Sequence, residues 1–307
     1  MIHIKYLDGL RAIAILAVLI YHGNNDWLPG GYLGVEIFFV ISGFIITHIL
    51  YKEWKSSQHI NLGSFYYKRW MRLFPVLLVV VLVVWILVLI LHPEDIMQIR
   101  TDLPYSISFT ANLDYIFNSR SYFETSGREH LLEHLWSLGI EFQFYLLWPA
   151  TCLWLFRRQP RTAIVITILG SLLGYFWMAH VYVPNQDPSR VYFGTDTRIG
   201  AFLIGATVAI LIQHWPSHSL YIIHYIILSI IGFLSFTILL LAFYFLESTN
   251  PMLFYGGFAT VALATGIVIF YCHIIVSTRH NPILFLLNHK LMVWFGLRSY
   301  GIGQYFA

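Results

Sequence analysis

The chain has 307 residues, 58% of them hydrophobic and only 11% charged, with a formal net charge of +3. An average soluble domain is about 25% charged, so the composition excludes an ordinary soluble domain and indicates a polytopic membrane protein. Basic residues are few and fall in short clusters between apolar runs, which argues against a nucleic-acid partner. A spanning helix needs about 20 mostly apolar residues. In chain order the candidates are Leu10–Tyr21, Leu33–Leu50, Leu73–Leu91, Trp136–Phe156, Thr162–Ala179, Ile199–Ile212, Leu220–Leu246 and Met252–Val276. A last run starts near Lys290 and is interrupted by Gly296 and Arg298. The first run ends at Tyr21–His22 with no small-residue cleavage site, so it reads as a retained helix and not a signal peptide. Cys152 and Cys272 sit singly inside apolar runs and form neither a disulfide framework nor a metal site.

The connections sort by charge. One holds Lys52, Lys55, Lys68, Arg69 and Arg72, another Arg157, Arg158 and Arg161, and a third Arg279 and Lys290. They alternate with His92–Glu133, His180–Arg198 and Glu247–Pro251; the first of these carries Glu94, Asp95, Asp102, Asp114, Glu124, Glu129 and Glu133 against Arg100, Arg120 and Arg128. Cytoplasmic loops are enriched in Lys and Arg. The expectation is a multi-pass protein of the cell (inner) membrane with a cytoplasmic N-terminus. Arg11, Arg69 and Arg72 then lie at the inner ends of their helices. His22, Glu36, Glu141, Asp196 and Arg198 lie toward the outside.

Arg11 and His22 are separated by ten residues, apolar or small apart from Tyr21. Eleven helical steps of about 100° complete three turns and roughly 20° more, so both side chains share one face, about 16 Å apart along the axis. Arg11 snorkelling to the boundary and His22 capping the helix is one reading; a functional pair is the other. Arg69 and Arg72, at i and i+3, are either a positive-inside anchor or a binder of phosphates. Glu141 is a lone carboxylate in an apolar helix, so it is protonated, or paired, or ties helices together by hydrogen bonds. Asp196 and Arg198 read as an interfacial ion pair. His130-Leu131-Leu132-Glu133-His134 matches a short zinc-peptidase pattern. No third ligand stands out, and no metal is expected.

The stretches LDGLRAIAILAVLIYH and PGGYLGVEIFFVISGFIIT resemble the N-terminal signature of the acyltransferase 3 family, membrane O-acyltransferases of surface polysaccharides. The match includes Asp8, Gly9, Arg11, His22, Gly34, Glu36, Phe38, Phe39, Ser42 and Gly43. FYYKRWMRLFP (65–75), LWSLGIEFQFYLLWP (135–149) and Asp196-Thr197-Arg198 followed by GAFLIGA extend the resemblance over about residues 6 to 300. It implies an all-α transmembrane bundle of about nine to ten helices, formed by residues 1–307 as one membrane-embedded domain. It also implies transfer of an acyl group, usually acetyl, from acyl-CoA to a carbohydrate hydroxyl, with no permanently bound cofactor. The residues expected to carry this are His22 as general base or, alternatively, as the site of an acyl-histidine relay, Glu36 orienting its imidazole, Glu141 beside them, and Arg11, Arg69 and Arg72 holding the donor's phosphates on the cytoplasmic side.

The family often ends with Ser-Tyr, an apolar pair and a Trp-His segment. Here Ser299-Tyr300 fits and residues 302–307 do not continue it, so the last helix is expected to be incomplete, as in a truncated or frameshifted product. No extracytoplasmic hydrolase-like domain, found in some relatives, is expected after it. The rival from another class is a transporter of a glycan or acyl-bearing molecule, because intramembrane Arg, Glu and His also build substrate pathways. A transporter would more often show inverted repeats, which the sequence lacks.

Overall fold

The computed structural model describes residues 4–123, 131–215, 222–275 and 281–306. Glu124, Arg128, Glu129, His130 and Arg279, which entered the charge and motif reading above, lie outside the described residues. The elements are α1 (Lys5–Gly23), α2 (Gly34–Ser57), α3 (Leu62–Leu91), α4 (Ile96–Ile107), α5 (Ala111–Phe117), α6 (Trp136–Leu155), α7 (Pro160–Val181), α8 (Ser189–Phe193), α9 (Thr195–His214), α10 (Ile222–Phe245), α11 (Gly257–Ile275), α12 (Pro282–Leu287) and α13 (Lys290–Phe306). Among the described residues seven helices are long and apolar enough to cross a membrane: α1, α2 with the turn before it, α3, α7, α9, α10 and α11. Two more long helices complete the bundle, α6, diluted by Glu141 and Gln143, and α13.

The fold is an all-α polytopic membrane bundle. Its centre is α2, which packs on α9 along its length and on α1, α6 and α11. The α2–α9 contact is close because glycines face each other's backbone. A Cβ on Gly43 would sit 2.0 Å from the Phe202 carbonyl oxygen, and one on Gly205 would sit 2.0 Å from that of Val40. Small residues let membrane helices approach this closely, where dispersion between backbones replaces the hydrophobic drive that lipid cannot supply. A second close contact joins α1 to α13, where a Cβ on Gly296 would meet the Asp8 carbonyl oxygen at 1.8 Å. By contrast α3, α7 and α10 display Leu82, Ile90, Leu172, Phe176, Ile230 and Phe233 on the outside. In water such a surface would be costly; in a bilayer it is the lipid face.

Two expectations change. The helix of Arg69 and Arg72 begins at Leu62, not near Leu73, because Asn61 caps it by accepting from the Ser64 N–H at 2.9 Å. Both arginines are therefore inside a helix and not at its end. The acidic segment 92–133 is expected as a connection, yet its described residues include α4 and α5, which form a cap at one end of the bundle. Arg120 ties this cap together, with Nη1 2.7 Å from Asp102 Oδ1 and Nη2 3.1 Å from Asp114 Oδ2. Burial works against the Arg120 charge, but the hydrogen bond and charge of Asp102, with Asp114, more than offset it and raise its pKa.

Candidate active site

A cavity of about 130 Å³ opens between α1, α2, α3, α6 and α13. From α1 it takes Arg11, Ile15, Val18 and His22, a single stripe at steps of four, three and four. From α2 it takes Val35, Phe38, Phe39 and Ser42, again one face. Arg72, Glu141 and His134 complete its polar lining together with Ser137, Ser299 and Tyr122. The cavity thus joins the Arg11–His22 face of α1 to Arg72 of α3 and Glu141 of α6, which lie far from it in sequence.

His22 is exposed in the last turn of α1. Its Nδ1 lies 2.9 Å from the Val18 carbonyl oxygen. A carbonyl can only accept, so Nδ1 carries the proton and Nε2 keeps its lone pair. Nε2 accepts a long hydrogen bond, 3.4 Å, from the Tyr122 hydroxyl. Burial pushes the Tyr122 pKa well above the ordinary tyrosine range, so this hydroxyl stays a donor. The helix's own backbone therefore fixes the tautomer, and no carboxylate is needed for it.

Glu36 has other partners. It is completely buried, its Oε1 accepts from the Tyr175 hydroxyl at 2.7 Å, and its Oε2 lies 3.1 Å from Arg198 Nη1. Arg198 is also completely buried, with its guanidinium 4.1 Å from the Phe258 ring centre and 4.8 Å from that of Tyr192. Glu36 is absent from the cavity lining, so the expected Glu36–His22 contact is replaced by a buried ion pair between α2 and α9. This also revises the expected Asp196–Arg198 pair. Asp196 is exposed and binds Arg190 (2.8 Å) and the Trp177 indole N–H (2.7 Å). The α9 start points Asp196 outward and Arg198 inward, two residues and about 200° apart on a helix.

Glu141 Oε1 accepts from the Ser42 hydroxyl at 2.5 Å and from the Tyr145 hydroxyl in a short hydrogen bond. It thereby ties α2 to α6 while facing the cavity. Arg69 is set apart from Arg72. It lines an adjoining groove between α3 and α6 with Tyr66, Trp70, Phe142 and Tyr145, its guanidinium 5.8 Å from the Tyr145 ring centre. Tyr145 thus separates the two spaces, with its hydroxyl on Glu141 and its ring beside Arg69. Sequence reasoning missed Tyr122, Tyr145 and Ser42 as site residues. Tyr145 could have been found as the i+4 neighbour of Glu141, whereas nothing around Tyr122 sets it apart from other aromatics.

Fold and site together define a class: a multi-pass helical membrane protein that holds a small cavity with cations, a carboxylate and an exposed imidazole. The chain belongs to the acyltransferase family, whose acyltransferase-domain description matches residues 4–302. It is 38% identical over 309 residues to the peptidoglycan O-acetyltransferase OatA of Listeria monocytogenes, covering 98% of this chain and 48% of that protein. It is 39% identical over 303 residues to the O-acetyltransferase OatA of Staphylococcus aureus, covering 96% of this chain and 49% of that protein. The chain spans about half the length of these curated relatives. No solved structure matches it.

Proposed function

We propose that the cavity is an acyl-transfer site, moving an acetyl group from acetyl-CoA to a hydroxyl of a cell-surface glycan. The acceptor class follows the relatives, one of which is named for peptidoglycan. The observation that carries this reading is the pairing, in one cavity, of an imidazole whose Nε2 keeps its lone pair under only a long contact from Tyr122, at one end, and Arg11 and Arg72 toward the other. The acceptor hydroxyl takes the place of the Tyr122 hydroxyl at Nε2 and gives its proton there as its oxygen attacks the thioester carbonyl. The C–S bond then breaks, and the departing thiolate takes the proton from the imidazolium, which restores His22. Arg11 and Arg72 supply charge for the donor's anionic groups and for the developing oxyanion. Arg69 adds to the same positive field from its adjoining groove. Glu141 holds Ser42 and Tyr145 and balances the arginines, and Glu36 supports the site through Arg198. Donor entry from the cytoplasm, with the N-terminus on that side, follows from the Lys/Arg-rich connections.

Membranes carrying the chain are incubated with labelled acetyl-CoA and peptidoglycan fragments or other surface glycans. Label is expected on the glycan. His22→Ala and His22→Gln are expected to lower the rate by about 10²–10⁴-fold with normal expression and donor binding, because neither side chain can take up and return a proton. Wild-type turnover by His22→Gln would sink the general-base role.

A further inference from the structure

The cap contains an ion cluster that this transfer scheme does not use. Arg120 bridges Asp102 on α4 and Asp114 on α5, whose exposures are 1% and 4%. Its guanidinium also lies 4.9 Å from the Tyr115 ring centre. A planar fork held by two carboxylates is fixed in direction as well as paired in charge. The chain turns just before this point, with Ser119 in the left-handed region at φ 50°. Two residues after Arg120 comes Tyr122, whose backbone N–H donates to Ser189 Oγ at 2.8 Å; Ser189 in turn donates to Asp187. The segment is therefore anchored to the cap on one side and to the stretch before α9 on the other. Between those anchors the Tyr122 ring rests against Trp136 and Tyr192, and its hydroxyl meets His22 Nε2.

We propose that Arg120 is a positioning residue for His22, acting through Tyr122. The Asp102–Arg120–Asp114 cluster holds the Tyr122 hydroxyl over the imidazole at one end of the cavity. The role rests on the reading of His22 as the base, and position and chemistry are therefore measured separately. A cluster that only stabilises the cap would leave the Tyr122–His22 contact and the turnover number alone whenever the cap stays folded.

Position is read by cross-linking in membranes. The full chain with Cys152→Ala and Cys272→Ala receives His22→Cys and Tyr122→Cys and is treated with a short bis-maleimide, which alkylates both thiols. Adding Arg120→Lys keeps the charge but removes the fork, and it is expected to reduce the cross-linked fraction severalfold. A control pair at Tyr51 and His214, whose side chains meet at 2.9 Å between α2 and α9, is expected to cross-link as before. Asp114→Asn, a milder change to the same cluster, is expected to act in the same direction. Chemistry is read in the chain with native His22 and Tyr122. There Arg120→Lys is expected to lower kcat for transfer from acetyl-CoA by about tenfold to a hundredfold with the donor KM unchanged. In a Tyr122→Phe background the same substitution is expected to be silent, because residues acting through one contact are not additive. Unchanged 22–122 cross-linking in both cluster variants overturns the proposal. Loss of the control pair as well assigns Arg120 to folding and also overturns it. Reduced cross-linking in a chain that transfers nothing from acetyl-CoA supports the positioning and overturns the donor assignment instead.

Discussion

Glu36 shows how one carboxylate changes meaning between sequence and structure. In sequence it lies near the depth of His22 and reads as its orienting partner. In space it faces Arg198, and both are shielded from solvent. A buried pair contributes little over well-packed apolar residues, but breaking it leaves an uncompensated charge, at a cost of about 3–5 kcal/mol. Glu36→Gln is therefore expected to lower thermal stability in detergent strongly, with the loss relieved when Arg198→Met is added. A direct partner of His22 would behave differently, lowering turnover at unchanged stability and with no relief from Arg198→Met. The pairing could not be read from the chain, because nothing local links residue 36 to residue 198, and Asp196 offers Arg198 a nearer decoy. The Arg11–His22 relation was legible, because a regular helix converts a spacing of eleven into a shared face without help from any distant residue.

At the scale of elements, glycine placement decides which helices touch. Gly43 and Gly205 each leave room for a carbonyl of the opposite helix, so α2 and α9 form a close seam at the centre of the bundle and bring Glu36 to Arg198. Gly205→Ala is expected to destabilise the protein by about 1–3 kcal/mol, since the added methyl has backbone and not a flexible side chain in its way. The matching change at Gly170, which would meet only the Leu203 Cδ1, is expected to cost less. Thermal unfolding of both variants in the same detergent compares them; equal loss would dismiss the seam as special. Hydropathy made the long helices legible but not their neighbours, because lipid and protein surroundings look equally apolar in a one-dimensional pattern. It also concealed α4 and α5. Their buried polar groups, Asp102, Asn112 and Asp114, are neutralised by Arg120 or engaged by Phe193 and Thr195, and none of these partners is adjacent in sequence.

For the whole molecule, the proposed direction of transfer depends on orientation. Single cysteines introduced at Asn25 and Asn112 are expected to react with an impermeant thiol reagent added outside cells, the second after mild opening of the cap because Asn112 is buried. Cysteines at Lys55 and Gln159 are expected to react only after permeabilisation. The reverse pattern would place the Lys/Arg-rich connections outside and reverse the roles of the cavity's two ends. The cavity itself has a consequence for the cell's energy supply. Any site that meets a soluble donor on one side of a bilayer and an acceptor on the other is a potential short circuit for the ion gradient. Here Arg11, with Asp8 at 3.6 Å, and Arg72 set positive charges along a narrow lining that also holds Glu141, and arginines in such a lining raise the barrier to hydronium and metal cations. Proteoliposomes carrying the chain are expected to hold an imposed pH gradient as long as protein-free vesicles do, even while acetyl groups are being transferred.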